Sequence, residues 1–103
     1  DAKYPSHRAG ANYDLYVPTE EAVRPAGEWN AVRIVARGPH VEHWLNGVKV
    51  VEYEQGSEAW ADRVAASKFR EMPRYGQYMS GLVGLQDHGD PVWYRNVKIR
   101  RLG

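Results

Sequence analysis

Apolar and polar positions alternate most cleanly over residues 28–37, where Val32, Ile34 and Ala36 fall on one face and Ala31, Arg33, Val35 and Arg37 on the other. A period of two is that of a β-strand whose two faces meet different surroundings. Gly38-Pro39 is a turn signal, and residues 40–45 form the next extended run. Asn46-Gly47 then separates Trp44-Leu45 from Val48-Lys49-Val50-Val51. Both central residues of a type I′ turn need positive φ, so Asn-Gly between extended runs predicts a hairpin. A three-strand antiparallel meander is therefore expected over residues 28–53.

The same period predicts a strand over residues 9–17, where Tyr13 and Leu15 alternate with Asn12, Asp14 and Tyr16 until Pro18 ends the run. Over residues 57–69 the period changes: Trp60 and Val64 recur at helical spacing, Ser57 is a good N-cap, and no proline or glycine interrupts. One helix of about three turns is expected there. Two further strands, residues 82–86 and 92–99, flank the polar turn Asp87-His88-Gly89-Asp90-Pro91. Repeated hairpins with one helix on a connecting excursion indicate an all-β antiparallel sandwich.

Length and composition narrow this picture. At 103 residues the chain is one small domain, residues 1–103, and looks thin for two full sheets. Fourteen basic against 13 acidic residues, with no run of one sign, argue against nucleic acid as partner. The absence of cysteine excludes disulfides and thiolate metal sites. No apolar run is long enough to span a membrane as a helix. The first residue is Asp1, which reads as the start of a processed or truncated product.

Three motifs carry a resemblance: Gly27-Glu28-Trp29-Asn30, His43-Trp44-Leu45-Asn46-Gly47, and the run from Leu85 through His88, Trp93 and Arg95 to Asn96. With the segment from Arg8 to Tyr16 and Ser67-Lys68-Phe69 in the same order, the chain resembles the 3-keto-disaccharide hydrolase family. That resemblance implies a concanavalin-like jelly-roll sandwich, of which this chain matches the C-terminal half. It also implies a saccharide substrate and a bacterial periplasmic or extracellular setting. Strands preceding Asp1 would then be missing, and the uncovered face should self-associate or take up a complementary N-terminal fragment.

The implied reaction cleaves a glycoside already oxidised to a ketone at carbon 3. The ketone acidifies the hydrogen on carbon 2, the carbon 1 substituent leaves by elimination, and water adds back. A base, an electrophile at the ketone oxygen and a proton donor are needed, and histidine, arginine or a divalent metal ion can fill these roles. His88, Arg95 and Asp87 are the catalytic candidates, and Asp90 with His88 is the candidate metal pair. The plain alternative is a polar turn, since Asp, Gly and Pro are what turns use. Arg95 shares a strand face with Val97 and Ile99, which places it near the core with a carboxylate partner. Trp93, Trp44, His43 and Arg8 are candidate sugar contacts, although a sandwich core also consumes tryptophans. His40, Glu42 and His43 have no helical zinc spacing, because a strand sends His40 and His43 to opposite faces. Non-catalytic carbohydrate binding, or a structural half-sandwich, remain as alternative functions.

Overall fold

The computed structural model describes residues 9–12, 15–19, 21–72, 75–76, 83–86, 89 and 91–102. Within them the regular elements are three strands, β1 (Val32–Arg37), β2 (His40–Leu45) and β3 (Val48–Glu54), followed by one helix, α1 (Glu58–Ala65). The strands form one antiparallel sheet in the order β1-β2-β3. This is an all-β partial sandwich: one sheet, with cover on part of one face.

Both hairpins close as the turn residues dictate. Asn46 and Gly47 adopt φ of 52° and 81°, the two positive values of a type I′ turn. Gly38 has φ of 55° ahead of Pro39, the type II′ arrangement in which only the first central residue is left-handed. The Asn46 side chain then fixes the turn to the rest of the chain. Its Oδ1 accepts from the Ala31 amide at 2.8 Å, while its Nδ2 donates to the Ala22 carbonyl at 2.7 Å and to Asn30 Oδ1 at 2.9 Å.

A β-bulge between His43 and Trp44 shifts the β2–β3 register, so that Val50 is the extra residue on β3. The bulge explains a burial pattern unlike that of a regular strand covered on one face: Val50 and its neighbour Val51 are both buried, and with Leu45 they form the core. Residues 9–12 and 15–19 cover them. Gly10 lies against Val50, Leu15 is buried, and the Thr19 amide donates to the Val50 carbonyl at 2.7 Å.

The helix starts where the N-cap signal sits, with Ser57 Oγ accepting from the Trp60 amide at 3.2 Å. Acidic Glu58 in the first turn and basic Arg63 in the last both suit the helix dipole. It is shorter than expected, eight residues, because Ser67 turns inward: its Oγ donates to the Val64 carbonyl and accepts from the Phe69 amide. A helix this short draws its stability from docking, and Trp60 is the residue that docks.

Two expectations fail. The described residues of the run 9–17 do not form a strand; among them Asn12 and Tyr16 make an isolated bridge, and the Leu15 and Tyr16 amides both donate to the Asn12 carbonyl. Alternation there reflects burial of Leu15 beneath the turn rather than a ladder. Residues 83–86 and 91–102 also lack strand structure. Asn96, at φ 54°, interrupts the extended run over 92–99, and a strand needs a partner to satisfy its amides. The sheet's core face is itself open over β1, where Val32 and Ile34 are 68% and 65% exposed.

Candidate functional site

Among the described residues, chemistry-bearing side chains gather in three places. The first is the sheet face opposite the core. Strand alternation puts His40, Glu42 and Trp44 on it, and the register sets His40 beside Glu54 and Glu42 beside Glu52. His40 Nδ1 lies 2.6 Å from Glu54 Oε1, and its Nε2 lies 3.0 Å from Glu42 Oε2 and 3.2 Å from Glu52 Oε2. Hydrogen bonds to Glu42 and then Glu54 raise the His40 pKa above the usual imidazole value. Glu42 is held below the usual carboxylate range by His40 and then by the Trp44 indole, whose Nε1 donates to Glu42 Oε1 at 2.8 Å. Lys49 Nζ meets Glu52 at 3.1 Å.

The second is the core face. His43 is half-buried, with Nδ1 2.8 Å from the Gly10 carbonyl and Nε2 3.2 Å from the Tyr53 hydroxyl. A carbonyl only accepts, so Nδ1 carries a proton and Nε2 is the nitrogen that faces Tyr53. Tyr53 begins an aromatic column. It stacks on Tyr16 at 4.8 Å and on Trp60 at 5.3 Å, and Trp60 in turn stacks on Tyr75 and Tyr75 on Phe69. Arg63 caps the column, 4.3 Å over the Tyr16 ring. Burial, with Tyr75 nearby, pushes the Tyr53 phenol up to about 12.

The third is exposed. The Arg95 guanidinium lies 4.0 Å over the Trp29 ring, joining segments 66 positions apart in the chain. Trp29 is 45% exposed and Trp93 75%, and the Tyr94 hydroxyl donates to the Gln86 carbonyl.

Of the site residues expected from sequence, His88, Asp87, Asp90 and Arg8 lie outside the described residues. Arg95 is corrected: it is exposed and faces an indole rather than sitting at the core side with a carboxylate, because residues 91–102 do not form the strand that would have turned it inward. Trp93, a candidate sugar contact, lies at the surface rather than in the core that could also have taken it. Trp44 is half-buried and committed to Glu42, and His43 is committed to Gly10 and Tyr53. His40 and His43 do lie on opposite faces. Sequence reading missed the grouping of His40 and Glu42 with Glu52 and Glu54, and the aromatic partners Tyr16, Tyr53 and Tyr75. The i, i+2 spacing of His40/Glu42 and Glu52/Glu54 was the available signal, usable only with the register known.

Residues 1–100 match the 3-keto-alpha-glucoside-1,2-lyase-like domain. The chain belongs to this family. It is 32% identical, over 94% of its length, to a 3-keto-disaccharide hydrolase of Bacteroides thetaiotaomicron, and it spans 37% of that protein. A crystal structure from Parabacteroides distasonis, carrying a provisional glycosyl hydrolase assignment, superposes with a TM-score of 0.62 at 41% identity. That match covers 68% of this chain and 31% of the other, so the chain spans about a third of the length of the relatives it matches. Several motif residues of the family are structural in this fold: Asn30 and Asn46 bond to each other, and Ser67 ends α1. Trp29 and Arg95 bring two of its motifs together at the surface.

Proposed function

We propose that this chain is part of a carbohydrate-active hydrolase or lyase that cleaves 3-keto-glycosides. The match of residues 1–100 to the lyase-like family carries the reading. The Trp29–Arg95 surface supports it: an indole face suits a sugar ring, and an exposed guanidinium is a donor suited to a ketone or hydroxyl oxygen. In this mechanism a base, for which His88 is the candidate, removes the carbon 2 proton, and the negative charge passes to the carbon 3 oxygen as an enolate. Collapse of the enolate expels the carbon 1 oxygen, which takes up a proton. Water then adds at carbon 1 and a proton returns to carbon 2, so the products are a 3-keto-sugar and the free alcohol of the second sugar. Arg95 and Asp87 are assigned to the ketone oxygen and the leaving oxygen, and Asp90 with His88 is a candidate pair for a divalent ion.

The test is hydrolysis of a 3-keto-disaccharide in heavy water, with His88→Ala alongside. Elimination and rehydration place one deuterium at carbon 2 of the released 3-keto-sugar. Direct displacement at carbon 1 leaves that position unlabelled and removes the mechanism. The 75% exposure of Trp93 favours a second reading, sugar binding without turnover. Saturable binding of the intact 3-keto-disaccharide with no product would select it. The open apolar face at Val32 and Ile34 supports association with a complementary part of the domain or a second copy that completes the sandwich.

A further inference from the structure

The outward face of the β2–β3 hairpin carries a set of side chains that neither the proposed reaction nor the core uses. His40, Glu42 and Glu52 present ligand atoms that all lie within 4.8 Å of one another. We propose that these three residues bind a divalent transition-metal ion, of which zinc is the representative, with Glu54 as the carboxylate that orients His40. This site is independent of the sugar-cleaving reading and of the Asp90 and His88 pair.

The argument is geometric. In a tetrahedral site with bonds of about 2.0–2.1 Å to nitrogen and oxygen, neighbouring ligand atoms are roughly 3.3 Å apart. His40 Nε2 is 3.0 Å from Glu42 Oε2 and 3.2 Å from Glu52 Oε2, so two edges of that figure already stand. Metal-bound histidine nearly always gives its other ring N–H to a carboxylate or carbonyl, which fixes the tautomer and aims the free nitrogen. Glu54 Oε1, 2.6 Å from His40 Nδ1, does this and leaves Nε2 for the ion. The second oxygen of Glu42 is held by the Trp44 indole at 2.8 Å, which fixes the carboxylate plane.

The set is an imidazole with carboxylates on two paired strands, rather than an acidic patch on a loop. One nitrogen and two carboxylate oxygens suit zinc or manganese better than magnesium, which prefers an all-oxygen octahedron and keeps its waters. Binding replaces the proton on Nε2 and loosens the Lys49 contact to Glu52. Arg37 of β1, opposite His40 in the register, and Lys49 of β3 supply the opposing positive charge on this face. A bound ion would tie β2 to β3 at the end of the hairpin farthest from Asn46-Gly47.

The test is a calorimetric titration of the whole chain with zinc chloride, paired with 15N NMR of its imidazoles. One equivalent of zinc is expected at this site, in addition to any ion held by the Asp90 and His88 pair, with the His40 Nε2 resonance moving on binding while His43 stays in place. His40→Ala should weaken the affinity at least tenfold. Glu54→Gln, which keeps the three ligands, should weaken it by about tenfold, the range seen when an orienting partner is lost. Equal zinc affinity in His40→Ala, a shift confined to another histidine, or no zinc bound by the wild type at submillimolar concentration each overturns the proposal. The NMR arm uses only the wild type, so misfolding of a variant cannot mask the answer.

Discussion

Asn46→Ala should be among the most damaging single substitutions on the surface of this domain. The asparagine side chain makes three hydrogen bonds, from the Ala31 amide and to Ala22 O and Asn30 Oδ1, and its backbone is left-handed at φ 52°. A typical intramolecular hydrogen bond contributes about 1 kcal/mol net. The Ala31 contact is exposed, so water replaces part of it, and about 2 kcal/mol is the reasonable sum for the set. Placing alanine at positive φ adds about 1 kcal/mol. The total is about 3 kcal/mol, or a fall in Tm of about 10–20 °C for a chain of this size. Urea unfolding followed by tryptophan fluorescence measures it. Asn46→Gly separates the parts, since it removes the hydrogen bonds and keeps the conformation, and should cost about 2 kcal/mol. An alanine variant within about 0.5 kcal/mol of wild type would refute the reasoning, as the hydrogen bonds would then be replaced by water at no cost.

Two further outcomes follow from the core. Gly10→Ala would set a Cβ 2.8 Å from Val50 Cγ2 at a backbone φ of +88°, so it should destabilise by about 2–3 kcal/mol in the same unfolding assay; a cost below 1 kcal/mol would show that residues 9–19 lift off Val50 freely. Tyr53 is raised by burial from 10.0 to about 12, so its neutral form stabilises the fold fully below pH 10 and that share is lost as pH climbs toward 12. Half-buried, it should contribute about 2 kcal/mol to the alkaline loss, and Tyr53→Phe should flatten the stability curve above pH 10; parallel curves for the two proteins would contradict it.

Much of the fold was legible in local pattern. The meander, its two turns and the Ser57 cap follow from period and from residues with restricted backbone preferences, and these act over a few neighbours. The candidate site was legible less evenly. The family motifs stand out in the chain, but their roles divide: Asn30, Asn46 and Ser67 hold the structure, while Trp29 and Arg95 meet at the surface. Arg95 was misplaced because alternation over residues 92–99 suggests a strand, and whether a strand forms depends on a partner's hydrogen-bonding groups, which local pattern does not contain.

Sequence alone determined the three-strand meander, its turn chemistry and the membership of the chain in its family. The tertiary structure decided which side chains share a face, and one bulge did most of this. Counting back from Asn46-Gly47 in a regular hairpin sets Glu42 opposite Val51 and His40 opposite Tyr53. With Val50 bulged, Glu42 faces Glu52 and His40 faces Glu54, while Val51 and Tyr53 turn to the core. A one-residue slip exchanges the two faces of a strand. The bulged Val50 packs beneath Gly10, a contact between distant parts of the chain that no local period encodes.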